Sequence, residues 1–413
     1  MKKLLIVFLY MLFIFSLWPL ETDSNIITAI EVIGIKRTKP YIASYPLERF
    51  LGRDGTTLDH FEVEAAVRDT GILEPASVEL IESENGMILR VTMTEKWSLF
   101  PVPIFSAVPG DITYGLFVAD ANIFGLRDQA AIGGIFGTYG WTTMALYNHS
   151  PNVRGRPAWN AFFSYNRSNR NDTDKYAVLY RNYSYDQIGF SYGMQFPMRG
   201  FALNTSISFN NYSLNETTNA LNPPSNGATL LGFSPGISMY SSSWDGYLLS
   251  QRSLSVSYGY YHGFTGSSYH QFGFQGVFEQ PFIPGFRFIS RSGAVWKSAS
   301  DFSSNLNPLF EDGQSRAQVN ILPGSYAARS YAGLSIGLEK HLFSIKWGTL
   351  SLLGAWQFVI SEGSISGFDF NNGPFAELRF YLSQLALPAM GVGITYNVNS
   401  GLFQLGFNMG TSL

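Results

Sequence analysis

The residues of this sequence best suited to acid–base or metal chemistry are its five histidines, His60, His149, His262, His270 and His341. None of them lies in a metal-binding spacing such as H-E-x-x-H. A serine hydrolase could use His262 or His270, which lie close to Ser267 and Ser268. Serine is so frequent in this chain, however, that such proximity carries little weight, and there is no G-x-S-x-G nucleophile elbow. We therefore predict a protein without catalytic residues, metal or cofactor.

Charge and composition favour a membrane wall over a soluble domain. Only 14% of the 413 residues are charged, 16% are aromatic and 41 are glycine, whereas soluble domains carry about 25% charged residues. The net charge of −3 comes without a basic run, which argues against nucleic acid as a partner. The absence of cysteine excludes disulfides, thiolate zinc sites and a lipid-modified N-terminal cysteine.

Residues 1–24 have the pattern of a targeting segment. Lys2 and Lys3 give a positive start, and an apolar run from Leu4 to Leu20 follows. The run is shorter than the roughly 20 residues of a spanning helix, so we predict a cleaved signal peptide. The alternative is a membrane anchor helix, because the run is long for a signal peptide and no A-x-A-like site follows. Farther along, no apolar stretch is long enough for a spanning helix, so membrane segments would have to be strands.

From Ile112 onward the sequence alternates between apolar and polar residues. Typical stretches are FALNTSISF from Phe201, LSVSYGY from Leu254 and GVGITY from Gly391. Such alternation in segments of about ten residues is the signature of a transmembrane β-barrel. A soluble sandwich also alternates, but it does not usually extend over about three hundred residues in one domain.

We therefore predict a mainly β fold dominated by an antiparallel transmembrane barrel of about 16 strands over 112–413. The first strand is placed near 112–122 and the last near 401–411, with a linker at 99–111 in front. The count treats 174–196 as two strands.

A small α+β domain is predicted in front of the barrel, over residues 25–98. A strand at 26–33 is followed by helical spacing over 39–50 and 58–69, and then by two strands on either side of a turn near Ser83. The predicted order is β-α-α-β-β.

The front domain contains the stretches IEVIGIKRT from Ile30, DTGI from Asp69 and VTMTEKW from Val91. Together they resemble a POTRA domain, the periplasmic module of the BamA/TamA superfamily, also called the surface-antigen family. The resemblance implies a domain that binds extended peptides by adding a strand to an open sheet edge. The residues that would form this edge are Val78, Glu79, Leu80 and Ile81. The alternative is a spacer domain that binds nothing.

The predicted barrel also has a long strand-free segment at 299–327, between predicted strands eleven and twelve. The BamA/TamA family inserts a loop at this position into the barrel lumen, and the tip of that loop carries a Val/Leu-Arg-Gly-Tyr/Phe motif. Here LPGS, with Pro323 and Gly324, has proline in place of arginine. ARSY, with Arg329 and Tyr331, keeps the arginine and the tyrosine but not the glycine. Either stretch could be the equivalent of the motif, and we favour Arg329.

An arginine in a low-dielectric lumen needs an acidic or carbonyl partner. The family supplies an acid from a Phe-Val-Asp-x-Gly-like stretch of the next strand, and FVISEG from Phe358 is similar to it. The resemblance therefore makes Glu362 the partner of Arg329 in a latch. The alternative is an arginine exposed to solvent.

The resemblance extends to the last three strands and implies an outer-membrane assembly or translocation factor. Its front domain would receive unfolded outer-membrane or secreted protein clients, and the seam between the first and last strands would open for them. Gly401, Gly406 and Gly410 would weaken or kink the last strand at this seam. The alternative is that these glycines only fit a crowded lumen.

The implied location is the bacterial outer membrane, with the N-terminal domain in the periplasm. The protein would be a monomer in contact with membrane lipid, and a periplasmic or lipoprotein partner would assist it. The alternatives are a passive pore or surface antigen of the same architecture and, least favoured, an outer-membrane lipid hydrolase.

Overall fold

Two compact units make up the described part of the chain, which divides after Glu95. The computed structural model describes residues 25–108, 111–138, 140–149, 157–215, 227–245, 248–265, 267–298, 319–322, 326, 328–345, 348–363, 367–382 and 390–409. The predicted signal peptide at 1–24 lies outside the described residues. Among the described residues, no helix is both long and apolar enough to cross a membrane.

The N-terminal unit has the predicted β-α-α-β-β order. Its elements are β1 Ile27–Ile33, a helix Pro40–Ser44 that continues as a 3₁₀ helix Tyr45–Phe50, a 3₁₀ turn Gly55–Thr57, a helix His60–Arg68, β2 Leu73–Ser83 and β3 Gly86–Glu95. The sheet order is β1-β3-β2, with β1 parallel and β2 antiparallel to β3. The first helix is α-helical only as far as Ser44. Pro46 has no N–H for an α-helix interior and lies instead in the first turn of the 3₁₀ helix.

An apolar core joins the helices of this unit to its sheet. The side chains that form it are almost completely buried, and they include Leu47, Phe50, Val63, Val67, Leu89, Val91 and Met93. Asp59 caps the N-terminus of the helix His60–Arg68, since its carboxylate accepts a hydrogen bond from the backbone N–H of Phe61 at 2.9 Å.

Glu95, at the end of β3, holds the loop that leaves β1. Its carboxylate accepts hydrogen bonds from the backbone N–H groups of Arg37 at 2.9 Å and Thr38 at 2.5 Å. Burial by itself raises the pKa of Glu95, but the donors from Thr38 and Arg37 outweigh this effect and lower the pKa below its ordinary value.

The second unit is a closed barrel of 16 strands, each antiparallel to its neighbours. The strands are β4 Leu99–Val108, β5 Asp111–Ile123, β6 Asp128–Gly137, β7 Gly140–His149, β8 Ala158–Thr173, β9 Leu179–Pro197, β10 Ala202–Asn215, β11 Ala228–Asp245, β12 Leu248–Thr265, β13 Tyr269–Ile283, β14 Phe286–Lys297, β15 Ala328–Ile345, β16 Gly348–Gly363, β17 Gly367–Leu382, β18 Met390–Tyr396 and β19 Phe403–Met409.

The strand number agrees with the prediction because two errors cancel. The predicted linker at 99–111 is wrong, since Leu99–Val108 is the first barrel strand and the predicted first strand at 112–122 belongs to the second, β5. The two strands predicted over 174–196 form a single strand, β9. The long segment at 299–327, of which the structure describes residues 319–322 and 326, nevertheless follows the eleventh barrel strand, as expected.

Side chains alternate between the two faces of the barrel wall. In β14, Arg287, Ile289 and Arg291 are at most 4% exposed, whereas Trp296 is 48% exposed. The buried positions face the interior, and the exposed positions form an apolar outer face of the kind that contacts lipid. We call the end of the barrel at which β4 begins the entry end, and the opposite end, where β14 leads to β15, the loop end.

Candidate functional site

The seam between β4 and β19 is the least paired junction of the barrel. In the part of the chain that the structure describes, these strands pair only at Ala107 with Leu405 and at Ser106 with Gly406. On the other side of β4, the ladder to β5 runs over ten residue pairs, from Leu99 to Val108. On the other side of β19, the ladder to β18 has seven pairs. The barrel is therefore held shut at one place by a very short ladder.

The three glycines predicted at the seam have different positions. Gly406 pairs with Ser106 within the seam. Gly401 lies before β19, in the turn from β18, where its φ of +73° favours glycine and its N–H donates to the Asn397 carbonyl at 2.8 Å. Gly410 lies outside the described residues. The prediction that Gly401 weakens the last strand is wrong, because this residue forms the turn instead.

Four described residues of the long segment, Val319 to Leu322, lie against inward-facing positions of the wall. The Asn320 N–H donates to Gln357 of β16 at 3.2 Å, and Thr395 of β18 donates to the Asn320 side chain at 3.0 Å. Asn397 donates to the Ile321 carbonyl at 3.1 Å. These contacts place residues 319–322 in the lumen near the loop end.

An apolar cluster surrounds this lumen segment. Its buried members are Val295, Val319, Ile321, Leu322, Tyr326, Ala328, Tyr331 and Val359. The Tyr326 hydroxyl also lies 2.7 Å from the Ser361 hydroxyl. Tyr331 is therefore part of the lumen packing, whereas Pro323 and Gly324 lie outside the described residues.

Arg329 and Glu362 contact each other, but in a different setting from the predicted one. Arg329 Nε donates to Glu362 Oε2 at 3.0 Å, and a second bond joins Nη2 to Oε1. Arg329 lies within β15 and Glu362 on the neighbouring strand, β16. Glu362 lies on the same face of β16 as the exposed Phe358 and Ile360, which is the outer face, whereas the buried Ser361 lies on the inner face. Glu362 is the partner named for Arg329 from the sequence, and the contact between them links two adjacent wall strands.

A buried ionic network lies on the inner wall, nearer the entry end. It joins three carboxylates to three guanidinium groups on β13, β14, β15 and β17: Glu279, Arg287, Arg291, Glu339, Glu377 and Arg379. Each of these residues is at most 5% exposed. The sequence analysis did not identify this network, because its members lie up to 100 residues apart. The signal that could have pointed to it is the presence of charged residues at inward-facing positions of predicted barrel strands.

Glu339 is the centre of the network. It accepts hydrogen bonds from Arg287, Ser351, Tyr381 at 2.8 Å and Arg379 at 3.4 Å. Arg287 also lies 2.9 Å from Glu279. The charges balance and each carboxylate is paired, which is the arrangement that makes buried ions tolerable.

A cavity of about 600 Å³ lies in the lumen against strands β6 to β13. Its wall carries mainly neutral amide and hydroxyl groups, among them Asn148, Asn160, Gln195, Asn204, Ser234, Ser257 and Gln271. Toward the loop end, the inner wall carries a cluster of buried tyrosines, Tyr183, Tyr185, Tyr212 and Tyr269.

The predicted peptide-binding edge lies in β2. Val78, Glu79, Leu80 and Ile81 pair with β3, and β2 is an edge strand of the three-stranded sheet. The side chain of His270 contacts a tyrosine hydroxyl, not the serine hydroxyl that a hydrolase would need. Its Nδ1 lies 2.7 Å from the Tyr258 hydroxyl.

These features define a class of protein: a 16-strand barrel with a weakly paired seam, preceded by a small mixed α/β domain. No protein-family model matches the chain, and no curated protein matches it by sequence. Solved structures do match.

BamA from Haemophilus ducreyi lacking POTRA domains 1–3 aligns with a TM-score of 0.54 and 12% identity, over 92% of this chain and 83% of that one. CdiB from Acinetobacter baumannii gives 0.60 and 9%, over 93% and 73%. CdiB from Escherichia coli gives 0.59 and 13%, over 94% and 75%. The chain has the barrel fold of BamA and CdiB.

Proposed function

We propose that this chain is a bacterial outer-membrane protein that accepts unfolded protein clients and inserts or passes them through its seam. The N-terminal domain would lie in the periplasm. The observation that carries this proposal is the seam itself, with two residue pairs where the ladder between β4 and β5 has ten.

The physical reason lies in the cost of unpaired backbone groups. A backbone group that loses its partner in lipid costs several kcal/mol. Separating β4 from β19 breaks the fewest backbone hydrogen bonds of any junction in the described barrel, so lateral opening is easiest there. A client strand that pairs at the opened seam restores the lost hydrogen bonds.

The N-terminal domain supplies a second site for extended chain. In β2, Val78 to Ile81 pair with β3 on one side only. An extended segment of a client could add to the other side through backbone hydrogen bonds, which do not depend on the client's sequence.

The filled half of the lumen supports a route through the seam. Residues 319–322 and the network around Glu339 occupy the interior beside β13 to β18. The alternative, a passive pore or surface antigen, is favoured by the cavity of about 600 Å³ on the other side.

Depletion of the protein in its host cells tests the proposal. We expect other β-barrels to disappear from the outer-membrane fraction, because their insertion would fail. The control is re-expression of the native chain, which should restore them. An unchanged outer-membrane proteome, together with reduced uptake of small neutral solutes, would support the pore and contradict the assembly role.

A further inference from the structure

The two strands at the seam do not offer equal edges to an incoming strand. In an antiparallel strand, the N–H groups of alternate residues point to opposite neighbours. The N–H of Ala121 in β5 donates to the carbonyl of Ser98, the residue before β4, at 2.9 Å, and the ladder between the two strands continues to Val108. Even-numbered residues of β4 therefore bond to β5, and odd-numbered residues point to the seam.

Two of the odd-numbered residues of β4 are prolines. The positions that face the seam are Leu99, Pro101, Pro103, Phe105 and Ala107. Proline has no N–H, and its ring occupies the space from which a donor would reach the neighbouring strand. The entry half of this edge therefore lacks two adjacent donors. Pairing with β19 at Ala107 and Ser106, away from the prolines, agrees with this pattern.

The edge of β19 has no such gap. Its register with β4 pairs Leu405 with Ala107, so the odd-numbered residues of β19 point to the seam. These are Phe403, Leu405, Phe407 and Met409, and each has an N–H donor. Once the two seam pairs separate, β19 offers a complete row of alternating donors and acceptors, whereas β4 offers an interrupted one.

We propose that the receptive strand of the seam is β19, and that Pro101 and Pro103 block the entry half of β4. The partner is an extended segment of an unfolded β-barrel protein, which rests on the proposed function above. The prolines also keep β4 from zipping fully onto β19, because closure in the observed register would set Pro103 opposite Met409.

Cysteine capture of a strand peptide on the full-length protein tests this assignment. The chain has no cysteine, so each engineered thiol is unique. Gly406→Cys reports on β19, where an added Cβ meets no atom within 4 Å. Val102→Cys, between the two prolines, reports on β4. Both positions lie on the inner face of the barrel wall, so the two variants form a matched pair. The probe is a synthetic ten-residue peptide of alternating valine and threonine whose one central cysteine carries a thiopyridyl disulfide, so that attack by the protein thiolate forms the mixed disulfide and releases the pyridinethiolate.

We expect Gly406→Cys to form the mixed disulfide with the peptide about ten times more efficiently than Val102→Cys, because two adjacent hydrogen bonds are missing at β4. In a Pro101→Val/Pro103→Val background, the yield at Val102→Cys should rise toward that of Gly406→Cys. Equal yields at the two native edges, or a preference for Val102→Cys, would overturn the proposal.

Two controls keep the result interpretable. Both cysteines should react equally fast with a small soluble thiol reagent, and each variant should keep the gel mobility of a folded barrel. Peptide capture is measured on purified protein and is independent of the depletion experiment. If depletion leaves other barrels in place while Gly406→Cys still captures the peptide, the cellular role fails and the receptive strand stands.

Discussion

Replacing Glu339 by glutamine should destabilise the barrel far more than the same change at Glu362. Glu339 is completely buried and bound by two guanidinium groups and two hydroxyls. Its neutralisation leaves three arginines against two glutamates in the network. Removing one partner from a buried ionic cluster costs about 3–5 kcal/mol, because the remaining charge stays buried without compensation. Glu362 is the control, since it also pairs with an arginine but is 18% exposed and its partner 26% exposed. For such a pair we expect about 0–1 kcal/mol.

The measurement is equilibrium unfolding in urea of the detergent-solubilised barrel, with the folded fraction taken from gel mobility without heating. The double variant Glu339→Gln/Arg287→Gln sharpens the test. It restores charge balance and leaves Glu279 paired with Arg291, and Glu377 with Arg379. We expect it to be more stable than Glu339→Gln alone. If Glu339→Gln and Glu362→Gln differ by less than about 1 kcal/mol, the reasoning from burial is refuted.

Three further predictions use the same purified protein. The Ile104→Pro variant should have a lower urea midpoint of unfolding than the Phe105→Pro variant, because the N–H of residue 104 bonds to β5 and that of residue 105 faces the seam. Equal midpoints would contradict this assignment of the N–H directions in β4. The hydrogen-exchange protection factors of the N-terminal sheet should fall as the pH drops below about 4.5. The lowered pKa of Glu95 gives stability that is complete above the ordinary pKa of a glutamate and is lost as the pH falls through the pKa of the folded state. Glu95→Gln should remove this pH dependence, and the same pH profile in that variant would contradict the role of Glu95. If the protein inserts client barrels as proposed, Arg329→Glu should slow their insertion into vesicles only slightly, since its pair links adjacent strands. Glu362→Arg in the same chain should restore the contact. A complete loss of insertion that the second change rescues would instead support a latch.

The regular parts of this molecule could be predicted because they follow one period. Alternation over ten-residue segments identified the barrel, since each wall position faces either the lumen or the outside. The β4 strand was missed because Pro101 and Pro103 resemble strand breakers, and only the barrel's closure reveals that they face a junction with few hydrogen bonds. The strand β9 was divided in two because its polar stretch near Asn182 interrupts the alternation.

The interior was much harder to predict, for a reason of sequence distance. Arg287 and Tyr381 are 94 residues apart, yet a hydrogen bond of 2.9 Å joins them. No local pattern encodes such a contact, because it forms only when the four strands β14 to β17 curve around the same space. The pairing of Arg329 with Glu362 was predicted from a family resemblance, whereas its position on the wall depends on where β15 begins.

A barrel that opens sideways must still prevent leakage across the membrane. The described contacts of residues 319–322 run to β16, β18 and the turn after β18, and the network around Glu339 belongs to β13 through β17. None of these contacts bridges β4 and β19. If the seam opens as proposed, residues 319–322 and the network around Glu339 would stay attached to the wall, and small solutes on this side of the lumen would meet the same obstruction in both states.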